Sequence, residues 1–158
     1  MRYFEKVMRL IVVVFLFASC SGSANKVGNN ILVSDIASYT DFETINKRYK
    51  LFDIKKSGSK KDFIVISATT VDPVIGDFDG YIDFIFLNNR LVMIGFYPQD
   101  MELFVSRYFP GFKELPIGKR KKFAHTEMWK AKNEIKNALY FGVADSDLYE
   151  EFVFGGSE

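Results

Sequence analysis

The chain has one histidine. His125 stands two residues before Glu127, and on a strand that spacing puts both side chains on one face. An imidazole beside a carboxylate is the pairing of a base with the group that orients it, or of two metal ligands. A catalytic zinc takes three protein ligands, often several of them histidines, and there is no second histidine to offer. The pair therefore reads first as part of a partly exposed strand that also carries Phe123 and Trp129 on the same face. Trp129, the only tryptophan, is a packed strand residue by default and a binding residue if its ring is exposed.

The acids offer little more. Asp77-Phe78-Asp79-Gly80 has the first carboxylates of a calcium loop. The further oxygen ligands and the closing Glu at the right spacing are missing, so the segment reads as a turn. Glu43, Asp83, Glu102, Glu127, Glu150 and Glu151 are carboxylates of the kind that flank a glycosidic bond. That chemistry needs two of them about 5 to 10 Å apart, a distance that sequence does not encode. There is no Gly-x-Ser-x-Gly elbow, no Walker-type phosphate loop and no Gly-x-Gly-x-x-Gly. Neither a cofactor nor a metal is implied.

The lone cysteine, Cys20, is best understood from its place in the chain. Arg2, Lys6 and Arg9 form a positive opening, and Leu10 to Phe17 is an unbroken apolar run. That run is too short for a transmembrane helix of about 20 residues and suits the apolar region of a signal peptide. Leu16-Phe17-Ala18-Ser19-Cys20 resembles the lipobox of bacterial lipoproteins, with Phe17 where Leu is usual. The resemblance implies removal of residues 1–19, lipid on Cys20 as the new N-terminus, and a membrane partner reached through that lipid. Each buried CH₂ contributes about 0.8 kcal/mol, so several acyl chains anchor firmly where one does not. In this family an Asp after the cysteine favours inner-membrane retention. Ser21 stands there instead, which implies the outer membrane, facing the periplasm, in a host with two membranes.

Removing nineteen residues from 158 leaves 139, enough for one domain that needs neither disulfide nor metal. Of 21 basic and 20 acidic side chains, the leader holds Arg2, Lys6, Arg9 and Glu5, leaving 18 against 19. That balance provides no broad basic field for nucleic acid. Two basic stretches stand out locally, Lys55-Lys56 with Lys60-Lys61, and Lys119-Arg120-Lys121-Lys122. They read as solvated loops, and the second is the candidate contact with a membrane surface. Seventeen Phe and eight Tyr suit a sheet-rich core.

Residues 20–30, rich in Ser, Gly and Asn, read as a tether, and 31–158 as one domain. Thr40 with Glu43 fits a capping box opening a helix over about 41–50, and Lys55 to Lys61 reads as a loop. Phe63 to Thr70 reads as a strand. Tyr81–Leu87 and Leu91–Tyr97 flank Asn88-Asn89-Arg90 as a hairpin; both runs are apolar nearly throughout, as in strands covered on both faces. Pro98 opens a second helix over about 98–108, which Pro110-Gly111 ends. Residues 112–122 read as a loop, 123–131 and 135–143 as paired strands, and Leu148 to Phe154 as a last strand, with a short helix as the alternative. The expected fold is α+β, a mainly antiparallel sheet of about five or six strands with two helices packed on one face. The expected function is a membrane-anchored, non-enzymatic module that binds or assembles an envelope protein. The alternatives are a small hydrolase of envelope polymer and a carrier of a small apolar ligand. A cleft joining His125 to an acid favours the enzyme, a contiguous exposed patch or open sheet edge the binder, and a closed aromatic pocket the carrier.

Overall fold

The computed structural model describes residues 30–60 and 63–155. The leader, Cys20 and the tether up to Asn29 lie outside the described residues. The fold is α+β. A two-stranded ribbon of β1 (Ile31–Val33) and β2 (Ile36–Ala37) leads into helix α1 (Phe42–Arg48). A sheet of seven strands follows: β3 (Phe52–Lys60), β4 (Phe63–Thr70), β5 (Tyr81–Leu87), β6 (Arg90–Tyr97), β7 (Arg120–Phe123), β8 (Thr126–Asn133) and β9 (Ala138–Asp145). Helix α2 (Met101–Tyr108) and a 3₁₀ turn (Pro110–Phe112) interrupt it, and helix α3 (Ser146–Phe154) comes after it. The strands lie in the order β3-β4-β5-β6-β9-β8-β7, antiparallel throughout.

The two most apolar runs, β5 and β6, are interior strands, as runs apolar on both faces require. Their hairpin turns on Asn88 and Asn89, both with positive φ, the conformation that asparagine tolerates best among residues with a Cβ. A bulge between Ile85 and Phe86 shifts the register there, and Leu91 and Val92 join different apolar clusters.

On one face the main core forms. Ile82, Phe84, Phe86, Ile94, Phe96, Phe141 and Val143 meet α1 through Ile45 and α2 through Phe104 and Val105. Tyr49 stacks on Phe84, and Phe104 contacts Phe96, Phe78 and Phe141. The opposite face has a smaller cluster, in which Leu148 of α3 packs on Leu87 and Val92, with Phe63, Val65 and Phe152 around it.

Several expectations are corrected. Three helices are described, not two, and they are not all on one face: α1 and α2 cover one face, α3 part of the other. The sheet has seven strands rather than five or six. Residues 148–154 are helical, because the Asp145 carboxylate accepts hydrogen bonds from the N–H groups of Asp147 and Leu148 and so caps the first turn. At α1 the cap is Asp41, whose side chain accepts from Thr44 N–H; Thr40 instead donates its hydroxyl to Ala37 O. At α2 the cap is Asp100, two residues beyond Pro98. Both basic stretches contribute strand rather than loop. Lys55 and Lys56 sit on β3 and Arg120, Lys121 and Lys122 on β7, which are the two edge strands. Six strand spacings of about 4.8 Å put those edges about 29 Å apart.

Candidate functional site

The predicted His125–Glu127 pair does not form. Phe123 pairs with Thr126, so Ala124 and His125 are the two-residue turn joining β7 to β8. Ala124 has φ 53°, a left-handed conformation in a residue that gives no turn signal. With His125 in the turn, strand alternation begins at Thr126 and does not include it. The imidazole is exposed and bonds to no described residue, while the His125 backbone carbonyl accepts from Ser146 N–H at 2.9 Å and from its hydroxyl at 3.1 Å. Glu127 is half-buried and faces Arg120 at 3.7 Å.

Trp129 is packed, 3% exposed. Its ring lies against Gly142, where an added Cβ would sit 2.5 Å from the indole. Its Nε1–H donates to the Tyr140 hydroxyl at 3.0 Å. Over it lies Arg120, whose guanidinium carbon is 5.2 Å from the indole centroid and 4.7 Å from that of Tyr149. Arg120 thus lies over two rings of the domain, with its side chain still about half exposed. Lys121, itself exposed, reaches the Gly111 carbonyl and the Phe112 ring, and Lys119 and Lys122 are exposed as well. Of the four candidate membrane contacts, two are engaged within the domain.

The named carboxylates are dispersed and mostly paired with cations: Glu43 with Lys47 at 3.9 Å, Asp83 with Lys136 at 2.8 Å, Glu102 with Lys130 at 2.9 Å and Glu151 with Arg90 at 2.7 Å. Glu150 is exposed. Among the described residues no three His, Cys, Asp or Glu side chains group as a metal site. Asp77 is fixed by Arg107 at 2.9 Å and by the Tyr108 hydroxyl, whose hydrogen bond holds its carboxyl below the usual range.

What the strands do bring together is aromatic. Helix α3 covers the second face only at the end bearing the 88–89 and 124–125 turns. Towards the other end, rings follow one another across the strands. Phe52 and Tyr81 are 6.5 Å apart, Tyr81 is the cross-strand partner of Tyr97, Tyr97 and Tyr140 are 5.6 Å apart, and Tyr140 meets Trp129 at 6.5 Å. Tyr81 is 57% exposed and Phe52 is exposed, with Tyr97 and Tyr140 half-buried. Gly95 and Gly142 are cross-strand partners beneath this ribbon, and the absence of side chains there lets the rings lie close to the backbone. A polar brace holds its rim. Lys136 bonds both Asp83 oxygens at 2.8 Å, Thr69 donates to Asp83 at 2.7 Å, and Asn133 donates to the Tyr97 hydroxyl at 2.8 Å.

Burial first, and the nearby Asp83 charge second, push the Tyr97 hydroxyl well above its ordinary pKa. The neutral phenol is the form the folded state favours, so its contribution to stability is intact below the unfolded value of about 10 and is lost as pH rises beyond it. Urea unfolding at rising alkaline pH should show stability falling above that point. In Tyr97→Phe that part of the fall should be missing; an unchanged alkaline slope would exclude Tyr97 as its source.

The same end has a groove of about 280 Å³ between the 77–79 turn, Pro98–Asp100 and α2, with Phe78 and Phe104 in its wall and exposed Leu103 at its rim. The chain matches no family model, no curated protein and no solved structure. Sequence reasoning missed the ribbon because its members come from β3, β5, β6, β8 and β9 and show no local spacing. The one readable hint was the tyrosine content of the strands.

Proposed function

We propose that the chain is an envelope lipoprotein, acylated at Cys20, whose domain is a non-enzymatic module that binds an envelope protein through its aromatic ribbon. The observation that carries this reading is the exposure of Tyr81 and Phe52, their rings 6.5 Å apart at the open end of the ribbon, on a half-face that α3 leaves uncovered. Tyrosine brings large contact area at low entropic cost and is enriched among residues that dominate binding energy. The neighbouring Asp83–Lys136 pair adds orientation without net charge. Cation pairing of the named carboxylates favours binding over hydrolysis. In a host with two membranes the site of action is the periplasmic side of the outer membrane.

Crosslinking in intact envelopes, followed by pull-down and mass spectrometry, tests it. The native chain should recover a reproducible partner, and Tyr81→Arg should lose it, with affinity falling about 30-fold or more, as for a central anchor residue. Equal recovery by Tyr81→Arg would place the interface elsewhere. No partner, together with breakdown of envelope polymer by purified protein, would establish the hydrolase instead. A carrier of a small apolar ligand is the second reading. The groove beside α2, with Phe78 and Phe104 in its wall, is its candidate site, but it is open, flanked by Asp77, Asp79, Asp100 and Arg107, and at about 280 Å³ falls just below the size range of ligand sites.

A further inference from the structure

The anchored end of the sheet has its own surface chemistry. Asn30, the first described residue, donates its side-chain amide to Asp145 at 2.7 Å. Asp145 pairs with Thr126, at the base of the β7–β8 turn. The chain therefore enters the domain beside that turn, at the end opposite Tyr81, Tyr97 and the 134–137 connection. At this entry end Phe123 is 70% exposed at the tip of the hairpin, beside exposed Lys122 and His125. Ile31, next to the entry point, is 65% exposed. An exposed phenylalanine at a hairpin tip contributes nothing to the core, and lysine and histidine beside it match a ring that enters the apolar layer while its neighbours stay among headgroups.

Distance decides the occupant. From Cys20 to Asn30 a chain of this length spans at most about 33 to 36 Å. A strand of eight residues is itself about 27 Å long. A domain held so closely meets the bilayer repeatedly with its entry end, and an interaction too weak to matter in free solution becomes populated through effective concentration.

We infer that the β7–β8 hairpin tip docks on the lipid surface, with Phe123 inserted, so that the aromatic ribbon's open end points away from the membrane. This rests on acylation at Cys20 as proposed above. Insertion is assigned to the apolar ring of Phe123; Arg120 and Lys121, exposed but held by ring and carbonyl contacts within the domain, bring their charge only to the headgroups.

The test uses the full acylated protein in phosphatidylcholine vesicles. With Cys20 blocked by lipid, His125→Cys introduces the only free thiol next to Phe123, and Ile135→Cys the only one at the far end, where Ile135 is 99% exposed. An environment-sensitive fluorophore at position 125 should be quenched several-fold less by aqueous iodide than one at 135, and more by spin-labelled lipid. Adding Phe123→Ser should erase the difference, without loss of folding because Phe123 is outside the core. Equal iodide access at the two positions overturns the inference. So does protection at 125 found only in native envelopes and not in vesicles, which would give the surface to a protein. Mass analysis of the Cys20 peptide reports acylation separately, so failure of the lipoprotein reading is distinguishable from failure of the docking surface.

Discussion

Phe96→Ala is expected to remove about 4 kcal/mol of folding free energy, within the range for deletion of a buried phenylalanine. Phe96 lies on β6, fully buried, with the rings of Phe78, Phe104 and Phe109 at 5.6, 5.3 and 6.2 Å. These neighbours come from the loop before β5, from α2 and from the residue after it, so no single segment can move in to fill the space. For a domain of this size the loss lowers Tm by about 12 °C. Urea denaturation should show the midpoint falling with the slope unchanged. A loss below about 1 kcal/mol would mean that the cluster relaxes around the missing ring and is not a close-packed unit.

Glu102→Ala is expected to cost about 2 to 3 kcal/mol, whereas Lys130→Met should be close to neutral. Lys130 sits on β8 with its side chain only 4% exposed, and its ammonium is held by the Glu102 carboxylate at 2.9 Å and the Lys113 carbonyl at 2.8 Å. Removing Glu102 strands a cation in the protein with one neutral acceptor. Removing the cation instead leaves Glu102 largely in water, where it costs little, and methionine fills much of the lysine stem's volume. The asymmetry is the test: thermal unfolding of the two variants and their double mutant should show Lys130→Met rescuing most of the Glu102→Ala loss. Equal losses in the two single variants would assign the effect to packing rather than to a buried charge.

Lys130 also marks how far sequence reasoning reaches. Strand alternation puts Lys130 on the covered face with Thr126 and Met128, where an unpaired lysine is not expected. The interior strands β5 and β6 were readable because burial on both faces demands apolar side chains at nearly every position, and β4 because its first half is β-branched and apolar. The edge strands were not. Lys55, Lys56 and Ser57 on β3 and Arg120 to Lys122 on β7 resemble loop sequences, since their register comes from neighbours. Helix α3 was misread for a different reason. Tyr149, Phe152, Val153 and Phe154 favour strand by propensity, but Asp145-Ser146-Asp147 is the cap and first turn of a helix. The His125–Glu127 pair failed on a single residue, because nothing in Ala124 announces the turn. The aromatic ribbon depends on strand order, which brings β9 beside β6 across a long connection and so sets Tyr140 next to Tyr97.

The placement of cations on both outermost strands has a consequence for life at high surface density. If the chain is anchored through Cys20 as proposed, copies in one membrane collide edge to edge far more often than copies in bulk, and an unpaired strand is a template for the next molecule's backbone. Lys55 and Lys56 on β3 and Arg120, Lys121 and Lys122 on β7 bring like charge to like in such encounters, even with Lys55 paired to Asp53 and Arg120 facing Glu127. The architecture therefore opposes growth into fibrils or continuous inter-chain sheets and leaves the tyrosine-bearing face available to a different molecule.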